Sequence, residues 1–381
     1  MIKHILITII ALPILLYVGL HLTGNSFFIN GLERTYLKGH ATANINDREA
    51  FNVAEIKTST PEPIANAGNY NSRELPADFR ASLEKFKTAA FVVLKDGEVV
   101  SENYMSGYHD RSKTNSFSMA KTVLTMMIGI AIEEGYIESL DQAVSDFIPE
   151  FSDDGIGKTA TLAHLAQMTS GYEWVEHYYS WFSPTVELYH GSDVEDFVVS
   201  GEFSAEPGTF WEYSSASTQL LGVVLKRALA KAGNDATLSE YLSQKIWQPM
   251  HMNDDALWHT DNHGMELVFC CLNTNARNFA KLGQLMLNNG NWQGQQLVPS
   301  QFIQTMITPV GKPFYGYSTW LGLDNNPAYY HFSGHLGQYI IVIPEHQMVV
   351  IRLGETRDPD KDFRSETLPE FVTQAMSLAG I

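Results

Sequence analysis

KTNSFSMAKTVLTMMIGIAIEEGYI, residues 113–137, passes from polar residues into an apolar stretch and predicts a helix that opens at Ser118 and ends near Gly135. Within it, Ser118 and Lys121 are three apart and share a face, so hydroxyl and amine fall within hydrogen-bond reach. At a first helical turn, unpaired backbone N–H groups favour negative charge on a serine oxygen and disfavour a protonated lysine. Burial under an apolar helix pushes the lysine the same way, toward the neutral form that a general base needs. Ser118 is therefore a candidate nucleophile and Lys121 its candidate base. The plain alternative is an N-cap serine beside a lysine whose stem packs and whose head reaches water. The same spacing in SLEK, Ser82 to Lys85, lies in a charged amphipathic helix, PADFRASLEKFK, and carries no such chemistry.

Upstream, AAFVVLKDGEVVSENYM (89–105) gives two apolar runs around Asp96-Gly97, a hairpin signal. Helices and loops fill residues 120 to 310. Strands return in YGYSTWLGL, GQYIIVIP and QMVVIRLG, before the helical LPEFVTQAMSLAG. Strands at both ends with helices between predict an α+β fold: one antiparallel sheet completed by the chain's return, with an inserted helical region.

The chain of 381 residues carries 25 Lys+Arg against 43 Asp+Glu, a formal charge of -18 that disfavours nucleic acid as a partner. Its two cysteines, Cys270 and Cys271, are adjacent and provide no disulfide framework. Lys3 precedes an apolar run, Ile5 to Leu22, of roughly the length that spans a bilayer. Residues 1–24 read as an uncleaved membrane anchor, with a cleaved signal segment as the alternative; either sends the rest of the chain outside the cytoplasm. Residues 25–76 are polar and rich in turn formers and read as an arm and linker, leaving 77–381 as the main domain.

Two further elements could join Ser118. In PGTFWEYSSASTQLLG (207–222), a turn precedes Tyr213-Ser214-Ser215 and another helix start; a phenol near a lysine ammonium can have its pKa lowered and shuttle a proton. The plain alternative is a core ring with its hydroxyl tied off. HFSGHLGQYIIVIP (331–344) is a glycine-rich approach to an apolar strand, which lets backbone offer an N–H to an oxyanion, or else marks an edge-strand bulge. His259 and His263 flank Asp261, but HTDNHG reads as a turn and not as a metal site. The chain lacks a G-x-S-x-G elbow, H-E-x-x-H, a P-loop and a dinucleotide glycine pattern.

In this order the three elements resemble the serine β-lactamase and penicillin-binding-protein superfamily: SMAK its S-x-x-K, Tyr213-Ser214-Ser215 its Y-x-N or Y-x-S, and the strand approach its K-T-G. TLAHLAQMTSGY, SLDQAVSDFIPEF and IPEHQMVVIRL are similar to the class C branch. DDALWHTDNHGMEL, CCLNTNARNFAKLGQLML and GHLGQYIIVIP look most like 6-aminohexanoate-dimer hydrolases and related esterases. The resemblance covers about residues 80 to 355. It implies a β-lactamase/transpeptidase-like fold and an acyl-enzyme hydrolase of small esters or amides, without metal or organic cofactor. Ser118 would be the nucleophile, Lys121 the base and Tyr213 the acid/base. The N–H groups of Ser118 and His335 would hold the oxyanion, with Ser215, Gly334 and His331 at the substrate. Two departures stand out. His331 to His335 replace Lys-Thr-Gly, removing the cation that β-lactamases hold against a carboxylate, and Cys270-Cys271 replaces a Gly-Gly usual in these relatives. The alternatives are a β-lactamase or D-Ala-D-Ala peptidase, or a non-catalytic penicillin-binding-like sensor. Oligomeric state and natural substrate carry no readable signal.

Overall fold

The computed structural model describes residues 14–153 and 155–381. Much of the apolar run from Ile5 to Leu22 lies outside the described residues; its end, residues 14–22, is helical. Among the described residues, no helix is long and apolar enough to cross a membrane.

Among the described residues, twelve strands build the sheets: β1 (Asn52–Ile56), β2 (Thr88–Lys95), β3 (Glu98–Tyr104), β4 (Thr114–Asn115), β5 (Ala256–Thr260), β6 (Leu272–Thr274), a small hairpin of β7 (Asn291–Trp292) and β8 (Gln295–Gln296), then β9 (Trp320–Gly322), β10 (Tyr329–Gly334), β11 (Gln338–Ile343) and β12 (Met348–Gly354). The main sheet runs β3-β2-β12-β11-β10-β9 and is antiparallel throughout. The expected hairpin closes it at one edge, and Asp96 and Gly97 both have positive φ, 53° and 82°, as the tight turn requires. The chain's return inserts β12 beside β2, so the sheet is completed by strands more than 200 residues apart in sequence.

The strand period divides the core. Ala90, Val92 and Leu94 of β2 face the large cluster that holds the helix Met119–Glu133, while Phe91 and Val93 face a smaller one with Phe79, Leu83 and Phe371. Ser82 and Lys85 therefore belong to a helix on the opposite side of the sheet from Ser118. Every residue from Met119 to Ala131 is buried, so this helix has no water-facing stripe.

A second sheet, β1-β5-β6-β4, was not expected. Its strands are short and its edge strand β1 buries only Ile56, so no alternating apolar pattern marks it. It also corrects the reading of residues 25–76 as arm and linker. That segment holds a helix, Phe27–Arg34, and β1, which pairs with β5 from Asn52↔Thr260 to Ile56↔Ala256.

The helix Ala276–Leu287 lies flat on the main sheet because Gly283 has no side chain: a Cβ there would stand 2.5 Å from Val349 Cγ1 and 2.7 Å from Ile340 Cγ2. Gly283→Val should overpack this contact and destabilise the fold by about 1–3 kcal/mol, read as a lower urea midpoint. An unchanged midpoint would show that the contact yields freely.

Candidate active site

The site starts at the β4 edge of the second sheet. β4 pairs with β6 (Thr114↔Thr274, Asn115↔Asn273), and the Ser116 N–H donates to Leu272 O at 2.9 Å. Asn115 Oδ1 then accepts from the Phe117 N–H at 2.8 Å, and Phe117 sits at φ +45°, a left-handed conformation that a bulky residue adopts only when its surroundings impose it. This kink delivers Ser118, at φ -63° and ψ -5°, to the start of the buried helix.

Lys121 is 1% exposed, and its Nζ lies 3.2 Å from Ser118 Oγ, 3.1 Å from Ser215 Oγ and 2.7 Å from the Phe269 carbonyl oxygen. Burial lowers its pKa to about 8, against the pull of the Glu176 carboxylate, which raises it. The Tyr213 phenol is hydrogen-bonded to Ser118, and Lys121 Nζ stands 5.3 Å from its ring centre. The expected lowering of the Tyr213 pKa is corrected. Burial and the Glu176 charge push it well above the usual phenol range, outweighing the Ser118 bond. Tyr213 is thus a phenol that burial holds protonated.

Ser215 connects two charges. Its Oγ donates to Glu176 Oε1 at 2.7 Å and its N–H to Oε2 at 2.9 Å, while Lys121 donates to the same Oγ. Trp174 Nε1 donates to Glu176 Oε2 at 2.6 Å, and the Tyr178 phenol also bonds this carboxylate. Sequence reasoning missed Glu176. It lies in an aromatic loop, EWVEHYYSWF (173–182), just beyond the matched phrase ending at Tyr172, and the Trp-x-Glu pair was its one local signal.

At the other wall, a Cβ on Gly334 would stand 2.2 Å from the Ser116 carbonyl oxygen, so glycine lets the end of β10 lie against the residues before Ser118. His335 follows it and lines the cavity, its ring 4.6 Å from Tyr178 and 5.5 Å from Phe117. Burial and the Arg357 charge lower its pKa to about 4, and its Nε2 has no partner among the described residues. His331 is not on the cavity wall. It is buried behind Trp320, the rings 6.2 Å apart, with its pKa lowered to about 3 by burial. The expectation that it faces substrate is corrected: His331 lies within β10 on the face opposite to Phe332 and the helix that follows Ser118, whereas His335 lies past the strand's end, where the chain turns.

A cavity that opens to solvent lies over Ser118. Its walls include Phe117, Tyr178, Trp181, Tyr189, Phe269 and Cys270, with Thr35, Tyr36 and Ala41 to Ala43 contributed by the N-terminal segment. No Asp, Glu, Lys or Arg is among its lining residues.

A half-buried serine beside a buried lysine on a helix against an antiparallel sheet, with a tyrosine hydrogen-bonded to the serine, defines a β-lactamase-like class of protein. The comparisons with known proteins agree: the Beta-lactamase family model matches residues 76–373, and the chain belongs to that family. It is similar to the 6-aminohexanoate-dimer hydrolase of Paenarthrobacter ureafaciens, 23% identical over 336 residues that cover 81% of this chain and 82% of the relative. A solved Bacillus anthracis structure provisionally named a 6-aminohexanoate-dimer hydrolase superposes with a TM-score of 0.77 at 23% identity, covering 89% of this chain and 94% of that one. A family VIII carboxylesterase gives 0.63 at 18%, covering 82% and 98%.

Labelling of Ser118 by an uncharged fluorophosphonate should speed up as pH rises through about 8, because only the neutral Lys121 amine accepts a proton. Since Glu176 raises the Lys121 pKa, Glu176→Gln should move that rise to lower pH. A wild-type profile that is flat between about pH 6 and 10 would remove Lys121 from the role of base.

Proposed function

We infer that the chain is a serine hydrolase that cleaves an uncharged ester or amide through an acyl-enzyme. The observation that carries this reading is the buried Lys121 amine, 3.2 Å from Ser118 Oγ and with its pKa brought down to about 8. About a tenth of such amines are neutral at pH 7, far more than for an exposed lysine.

In acylation, Ser118 Oγ bonds to the substrate carbonyl carbon and its proton passes to Lys121 Nζ. The negative oxygen forms between the backbone N–H groups of Ser118 and His335. Tyr213 gives its proton to the departing oxygen or nitrogen as the carbonyl bond to it breaks, and takes one back from the Lys121 ammonium. Water then attacks the acyl-enzyme, the same groups moving protons in reverse. Its similarity to a 6-aminohexanoate-dimer hydrolase and to a family VIII carboxylesterase supports amide and ester bonds as targets.

The charge-free cavity supports an uncharged substrate. A lysine or arginine against a substrate carboxylate is worth about 1.5–3 kcal/mol, and here the aligned residues are histidines that burial holds neutral. kcat/KM for p-nitrophenyl butyrate should therefore exceed that for nitrocefin by roughly ten- to a hundredfold or more on one preparation. A preference for nitrocefin would turn the assignment to a β-lactamase. Ser118→Ala should lower ester turnover by about a thousandfold or more. Undiminished turnover in that variant would exclude Ser118 as nucleophile.

A further inference from the structure

Of the sixteen large apolar side chains exposed among the described residues, twelve fall within 14–37 and 175–182. The two stretches meet. Phe28 stacks on Trp181 with ring centres 6.4 Å apart and meets Phe182 edge-on at 5.6 Å, and Tyr36 stacks on Trp181 at 5.8 Å. The approach is close because Gly31 has no side chain, a Cβ there falling 2.4 Å from the Trp181 ring. Leu37 and Phe182 stand out from this junction, 72% and 88% exposed. Tyr36, Tyr179 and Trp181 belong at once to this apolar rim and to the lining of the cavity over Ser118.

What could cover such a rim is indicated by the helix that leads into it. Ile14, Leu15, Leu16, Tyr17 and Val18 are all exposed, and five consecutive helical residues sweep the whole circumference at about 100° each. A protein partner covers one face of a helix; lipid covers all of them. The surrounding composition fits the same occupant. Tyr and Trp are the residues that settle at a membrane–water interface. In a chain with 43 acidic residues, the stretch 14–44 carries Arg34 and Lys38 against the single Glu33. Of the two acids in the loop 173–182, Glu176 is turned inward onto Ser215 and Trp174, and Glu173 is exposed at the loop's start, ahead of the apolar stretch 175–182.

We propose that the rim around Leu37 and Phe182 docks on a lipid bilayer with the cavity mouth at the headgroup layer, and that the substrate is an amphiphile whose uncharged ester or amide reaches Ser118 from the lipid. The inference deepens the hydrolase reading and rests on it. The apolar run that begins at Ile5 would then hold the chain at the membrane, with the domain outside the cytoplasm.

The test uses the full chain in phosphatidylcholine/phosphatidylglycerol vesicles and the double variant Leu37→Asp/Phe182→Asp, since neither residue lines the cavity. Wild type and variant should cleave water-soluble p-nitrophenyl acetate within twofold of each other. On p-nitrophenyl palmitate carried in the vesicles, the variant should be at least tenfold slower. Equal rates on both substrates, or an equal fall on both, overturns the docking. Brominated lipid supplies a readout independent of activity: it should quench a fluorescence component that Trp181→Phe removes, and absence of that component also overturns the proposal. A detergent-solubilised dimer that the double variant dissolves would assign the rim to a second copy instead. If wild type cleaves neither ester, the hydrolase reading and the substrate half of this proposal fall together, while the quenching still reports whether the rim meets lipid.

Discussion

Burying the amine of Lys121 is the constraint around which the rest is arranged. A charged ammonium taken from water costs several kcal/mol unless oxygens replace its hydration, and three do so here: Ser118 Oγ, Ser215 Oγ and the Phe269 carbonyl. Each comes from a different part of the chain: the junction of β4 with its helix, the start of the helix Ser215–Lys231, and the turn before β6. The fold must hold all three within about an ångström of place, and that requirement explains a helix buried on every side and a second sheet that does little but fix its approach.

The turn at 269–271 shows how one of those oxygens is aimed. Cys271 has φ +74°, a conformation that glycine takes freely and other residues rarely, which accounts for the Gly-Gly expected at this place in similar proteins. Here the sulphurs of Cys270 and Cys271 are joined to each other. The bridge links no separate elements and so provides no framework, as the sequence implies, yet it lies in the cavity wall one residue from the carbonyl that holds Lys121. The Trp258 indole N–H also donates to Cys270 O at 2.7 Å, tying the turn to β5.

Much of this was readable from local pattern. The Asp96-Gly97 hairpin, the apolar run after Ser118 and the strands of the last third each write their geometry into neighbouring residues, and the serine–lysine spacing needs one helical turn to become a contact. What stayed hidden depends on distant partners. β1 and β6 are short, β1 pairing with β5 and β6 with β5 and β4, and neither alternates. The arm's share in the cavity follows from how Gly31 meets Trp181, about 150 residues on, and no periodicity encodes that. The hydrogen bond of Tyr213 to Ser118 and the direction of its pKa shift likewise depend on distant residues, since burial and Glu176 outweigh the lysine that the local pattern suggests.

Glu176 also explains why the pKa of Lys121 settles near 8 and not lower. Desolvation alone drives a buried lysine toward permanent neutrality, which makes a base that is always ready but a weak acceptor of protons. A carboxylate close enough to oppose that drift keeps the amine basic, and once a proton arrives it offsets the new charge. Direct contact would form an ion pair and lock the ammonium in place. Ser215 prevents this by standing between them, donating to Glu176 with its hydroxyl and accepting from Lys121 on the same oxygen. Both charges thus lie behind the uncharged wall that a substrate meets, and the cavity can be apolar while its base remains titratable.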